Sequence, residues 1–222
     1  MSRKETNQPR CDRMLIVGER ANRERVTRYD GMLRSDPAGW AEMSIELGAF
    51  RGDEQSWNKL QSIGLVPPVQ RAEIRSLNLL PPGPRDLGWW PALARAVADS
   101  VIKDSIMLVE EGIDAGKVGS AYKYIVLCGR RVTTAFGLNK SEADIPSRWV
   151  RTEYDSDSGR SQFEMLCDGE RESFNAQVLI VVPHPSGANR LWNDKDYVRG
   201  TRAAMREWLW QLYEQQEQGS ES

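Results

Sequence analysis

Histidine is almost missing from this sequence. His184 is the only one in 222 residues. Cysteine is scarce too, and its three copies, Cys11, Cys128 and Cys167, are far apart with no C-x-x-C pair. That excludes a zinc or iron–sulfur centre built from four cysteines. The odd count and wide spacing favour a reducing, intracellular setting, so a cytoplasmic location is expected. No apolar run is long enough to span a bilayer. The N-terminal MSRKETNQPRCDR lacks the apolar stretch of a secretory signal. Neither G-x-G-x-x-G nor G-x-x-x-x-G-K occurs, so dinucleotide and P-loop readings have no support. Strong charge of one sign is also absent, the net charge being −2. This argues against a protein that coats nucleic acid nonspecifically. Local basic patches remain open: Gly18–Arg34 carries five arginines against three acids, which a solvated helix face would explain equally well.

The hydrophobic and charged fractions, 40% and 28%, are those of an ordinary globular chain. Four short apolar runs stand out. Met14–Val17 stops at Gly18, Ile74–Leu80 stops at a Pro-Pro-Gly-Pro turn, Tyr124–Cys128 stops at Gly129, and Val178–Val182 stops at Pro183. Runs of this kind read as buried parallel strands. Cys128 lies within one of them and reads as core. Helical spacing appears in WAEMSIELGAF, EQSWNKLQSIG, LGWWPALARAVADSVIKDSI and RRVTTAFGL, and again over residues 194–216, where Tyr197, Ala204, Trp208 and Leu212 fall near one face. RWVRTEY and QFEMLC alternate around DSDSGR and should pair as a hairpin, as an insertion or at the sheet edge.

The expected architecture is α/β: three layers, α/β/α, around a four-stranded, mostly parallel sheet, with a β-hairpin insertion near 148–167. Residues 1–12 read as a polar tail, 13–216 as a single domain and 217–222 as a disordered tail. In such sheets ligands bind at the carboxyl ends of the strands. There this sequence places GERAN, NLLPPGPR, GRR and HPSGANR.

Several residues in those loops could carry chemistry. Gly18 lets the backbone approach a ligand closely. Glu19 could orient water or stabilise a cationic transition state, or it could pair with one of the nearby arginines. Asn78 sits inside an apolar strand, where its amide needs partners. Its one acceptor and two donors suit the edge of a nucleobase, and a neighbouring loop would suit them too. His184 is confined between Pro183 and Pro185. It can donate a hydrogen bond or a proton to a leaving group, or merely cap a turn. Ser186 and Gly187 offer a hydroxyl and bare amides for a phosphate. Asn189 and Arg190 could join them, or could form a helix cap and a solvated charge.

Taken together, Gly18-Glu19, the Asn78–Gly83 segment NLLPPG and His184-Pro185-Ser186 resemble motifs of the uracil-DNA glycosylase superfamily. The resemblance spans residues 13–192 and is specific at those three short sites. It implies a DNA N-glycosylase that flips a uracil, or another deaminated or modified base, out of the strand. In that reading Glu19 and His184 are catalytic, and Gly18, Asn22 and Asn78 bind the base. Ser186, Gly187, Asn189 and Arg190 hold the DNA backbone. Tyr29 and Trp40 are the candidates for the aromatic that stacks on the base. The implied partner is DNA, single- or double-stranded, with no metal, no cofactor and no membrane, and the chain is expected to act as a monomer. The rival reading is a protein that binds a nucleobase, a nucleotide or DNA without cleaving it.

Overall fold

The computed structural model describes residues 14–20, 36–50, 53–65, 74–81, 91–110, 122, 124–138, 146–155, 160–167, 177–186 and 189–209. The expected positions Asn22, Tyr29, Gly187 and Leu212 and both chain tails lie outside them. The elements in chain order are β1 (Met14–Arg20), α1 (Pro37–Leu47), α2 (Glu54–Ser62), β2 (Arg75–Leu80), α3 (Pro91–Glu110), β3 (Tyr124–Cys128), α4 (Arg130–Ala135), β4 (Ser147–Asp155), β5 (Arg160–Met165), β6 (Val178–Val182) and α5 (Lys195–Trp208). A short 3₁₀ turn, Arg190–Asn193, precedes α5. Among the described residues no helix is long and apolar enough to cross a membrane.

The fold is α/β, with one six-stranded sheet in the order β2-β1-β3-β6-β4-β5. β2, β1, β3 and β6 run parallel. The hairpin is a correction to the expected four-stranded sheet with an insertion. β4 pairs antiparallel with β6, and β5 with β4, so the hairpin extends the sheet by two strands. The physical reason is visible in Trp149. It is buried in the same core as Leu179 and Val181, so the hairpin shares the sheet's hydrophobic face.

Period-two alternation divides the strands between two cores. Leu15, Val17, Leu77, Leu79, Ile125, Leu127, Leu179 and Val181 pack with residues of α1, α3 and α4. Ile16, Val126, Cys128, Ile180 and Val182 pack with α2, Trp192 and α5. The expected three-layer arrangement follows from that division. Burial pushes the Cys128 thiol far above its ordinary range, as suits a core residue.

β1 runs further than the sequence suggests. Gly18 pairs with Asn78 and Arg20 with Leu80, so Gly18 and Glu19 belong to the strand and not to a loop after it. The ladder to β2 satisfies their backbone groups and carries the strand onward. α1 stops earlier than its pattern does, whereas α3 runs past Ile106 to Glu110. α1 ends at Leu47 because Gly48, at φ 72°, turns the chain out of the helix.

β2 is an edge strand, and an open edge invites wrong pairing. Here α1 covers it. Ser44 Oγ accepts from Asn78 N–H at 2.8 Å and donates to Asn78 O at 3.0 Å. Trp40 Nε1 is 3.1 Å from both Asn78 O and Leu79 O. Trp40 is therefore a fully buried edge cover, which corrects its reading as a stacking candidate. Ser44→Ala leaves the buried Asn78 N–H without its acceptor. It should lower the unfolding free energy by about 1–3 kcal/mol in a urea titration. An unchanged midpoint would contradict the edge-cover role.

Candidate functional site

The sheet order reverses at β1, since the chain passes from β1 to β2 on one side and later adds β3 on the other. Such a switch point opens a crevice at the carboxyl ends of the strands. Gly18, Glu19 and Asn78 lie at that end of β1 and β2, Gly129–Arg131 follow β3, and His184–Ser186 follow β6.

Gly18 forms the floor. A Cβ at this position would run into Asn78 Oδ1 and come within 3.1 Å of Phe50 Cζ. Only glycine lets the Asn78 carboxamide and the Phe50 ring lie against the strand together. Among the described residues, the Asn78 hydrogen bonds run through its backbone, to Ser44 and Trp40. The carboxamide itself has no such bond there.

Phe50 is the residue that sequence reasoning missed. Its ring meets His184 edge to face, with centroids 6.4 Å apart and planes at 71°. It meets Trp57 in the same way, at 6.4 Å and 81°. Its φ of 57° is left-handed, a strained conformation for a bulky side chain that costs about 1–3 kcal/mol. Neighbouring bonds hold it there. Ser76 Oγ donates to Ala49 O at 3.0 Å, and Asp53 N–H donates to Phe50 O at 2.9 Å. The signal that could have found it is Gly48, which ends the helix two residues earlier and places Phe50 in the connector.

His184 is oriented by its own loop. Ser186 N–H donates to His184 Nδ1 at 3.1 Å. Nδ1 is thus an acceptor, and in the neutral ring the proton sits on Nε2. Burial lowers the His184 pKa below the usual 6.5. The Glu19 and Asp53 carboxylates pull it back up, and the Lys59 ammonium pushes it further down. The ring is therefore a neutral Nε2–H donor at pH 7. Lys59 is another residue the sequence did not mark. From α2 its Nζ donates to Ser186 O at 2.9 Å. Trp192 Nε1 donates to His184 O at 2.9 Å. Gly129, at φ 95°, packs against the other side. A Cβ there would fall 2.9 Å from His184 Cβ.

Glu19 is placed differently. Strand alternation turns it to the face opposite Gly18 and Asn78. There it accepts from Arg131 Nη1 of α4 at 2.9 Å. The sequence pointed to a nearby arginine, and the partner is instead Arg131, 112 positions further along the chain. Asn189 Oδ1 accepts from Leu191 N–H at 3.1 Å and caps the 3₁₀ turn, and Arg190 is exposed. The structure thus gathers Gly18, Asn78, Phe50 and His184 into one cluster. Glu19 sits on the adjoining rim, and Ser186 serves through its backbone. Among the described residues, no group of three or more His, Cys, Asp or Glu is placed to hold a metal ion.

Comparison with family models, with curated proteins and with solved structures yields no match.

The single histidine permits a direct test, because its ring resonances need no assignment. His184 should titrate below 6.5. Lys59→Met should raise its pKa and Glu19→Gln should lower it, read by proton–carbon NMR across pH. A folded-state pKa below the unfolded value means that the unfolded chain binds the extra proton. Stability is therefore complete above the unfolded pKa and falls as pH drops through the window below it. Titration at or above 6.5 would contradict a buried neutral ring.

Proposed function

We propose that this protein hydrolyses the N-glycosidic bond of uracil, or of another deaminated or modified base, in DNA. The observation that carries the reading is the neutral His184 donor beside Phe50 and Asn78 on the Gly18 floor. An aromatic face, an amide edge and one N–H donor are what a flipped planar base requires. The base leaves its stack at a cost of a few kcal/mol, least from single strands or mismatches. Phe50 offers a surface on which it stacks. The Asn78 carboxamide pairs with its edge.

As the bond from the sugar C1′ to the base nitrogen breaks, its electron pair goes to the base. His184 Nε2–H stabilises the negative charge that develops there, an electrostatic effect that is largest in a site closed to water. Water then adds to C1′ and releases a proton, which balances the departing anionic base. Glu19 orients that water or stabilises the cationic sugar. The Ser186 hydroxyl and the exposed Arg190 guanidinium contact backbone phosphates.

A second reading is favoured by the Glu19–Arg131 pair. With its carboxylate engaged, the same pocket would bind a nucleobase or a DNA strand without cleaving it. Abasic-site formation decides between them. Oligonucleotides carrying uracil, hypoxanthine, xanthine or a modified pyrimidine, each single- and double-stranded, are incubated with the protein and treated with alkali. Strand breaks at one base, lost in His184→Ala, are the expected result, with Asn78→Asp changing which base is accepted. Binding without breaks at any base supports the second reading, and equal activity of His184→Ala would overturn the role given to the ring.

A further inference from the structure

The ion pair at the rim lies where a ligand of this fold would enter. It joins the ends of β1 and β3, the strands between which the sheet order reverses. Arg131 stands in the first turn of α4, two residues after the glycine that packs against His184. Its side chain is 61% exposed, and that of Glu19 is 23% exposed. Water screens a pair this open, so it contributes little to stability and exchanges partners readily.

We infer that the pair is a ligand-operated latch. A backbone phosphodiester of the bound strand takes the Arg131 guanidinium, and the Glu19 carboxylate is released into the crevice. The inference rests on the reading of the site as a nucleic-acid site. The chemistry of the exchange is favourable because a phosphodiester offers arginine the same two-oxygen fork as a carboxylate. The guanidinium can therefore trade its bond to Glu19 for bonds to a phosphate.

Electrostatics gives the exchange a direction. In the free protein an unpaired carboxylate at the rim would repel an approaching polyanion, and Arg131 masks it. Once the phosphate has taken Arg131, Glu19 keeps its full negative charge beside the reacting sugar. One arginine thus serves both states, and it acts through Glu19 as a positioning residue.

The test is a double-mutant cycle on binding, which needs no catalysis. Affinity for a short labelled oligothymidylate, which carries no excisable base, is measured by fluorescence anisotropy across salt concentrations. Arg131→Gln should weaken binding and reduce the salt slope by about 0.7, the value for one phosphate contact on a single strand. Glu19→Gln should tighten binding by up to about fivefold, the most an exposed pair is worth. In the Arg131→Gln background that tightening should be smaller, because only the carboxylate's repulsion of the strand is then relieved. Arg131→Lys, which keeps the charge and loses the fork, should restore part of it. Arg130→Gln, the exposed neighbour, should lower the salt slope while leaving the effect of Glu19→Gln intact. The His184 resonances report whether each variant is folded.

Equal tightening by Glu19→Gln with and without Arg131 would mean general charge repulsion, and would overturn the latch. An unchanged salt slope in Arg131→Gln would do the same. Failure of the unsubstituted protein to bind the oligonucleotide would overturn the nucleic-acid reading together with the latch. Binding with additive substitutions overturns the latch alone.

Discussion

A hydrogen bond between a backbone amide and a ring nitrogen, Ser186 N–H to His184 Nδ1, decides what chemistry the rim can offer. It assigns the imidazole proton to Nε2 and so makes the neutral ring a donor through that atom. Without it the ring could present a lone pair instead, and an electron-rich leaving group would find no partner. The bond depends on the loop's shape, which is fixed from three directions. Trp192 Nε1 holds His184 O, Lys59 Nζ holds Ser186 O, and Asn189 N–H closes on Ser186 O at 3.3 Å. Each of these comes from a different part of the chain or a different turn. The ring orientation is therefore a property of the whole carboxyl edge.

The same edge carries strain. Phe50 is held in a left-handed conformation by the bonds of Ala49 and Asp53 to their neighbours. Strain of this kind persists only where the surroundings over-determine it. What it achieves here is placement. The ring packs against Gly18 on one side and meets His184 edge to face on the other. The edge cover on β2 belongs to the same design, because Ser44 and Trp40 fix the backbone of the residue whose side chain reaches the site.

Three of the four parallel strands were legible as continuous apolar runs closed by a glycine or proline, and β2, interrupted by Arg75, Ser76 and Asn78, by its leucines and the Pro-Pro-Gly-Pro after it. β3 and β6 fall where the runs fall, at Tyr124–Cys128 and Val178–Val182. The extension of β1 through Gly18 and Glu19 was not legible, since polar residues in a strand are identified only by the ladder they join. The hairpin's place was left open by its pattern. Alternation says that one face is buried, but not against which sheet. In the site, His184, Asn78 and Gly18 announced themselves as unusual residues at strand ends. Phe50 and Lys59 did not. Their roles depend on a backbone angle and on a contact across 127 positions of sequence. Arg131 was visible only as part of Gly-Arg-Arg after β3, and its partner came from the neighbouring strand β1, 112 positions away in sequence.

The central claim is that His184 is a neutral donor through Nε2, aimed into a site for a planar base. Long-range proton–nitrogen NMR of the ring measures this directly at a pH above its titration. The account predicts a protonated Nε2 and an unprotonated Nδ1, with the Nε2 resonance moving when free uracil is added. A proton on Nδ1 would break the bond to Ser186, leave an acceptor where the proposed reaction needs a donor, and contradict the account.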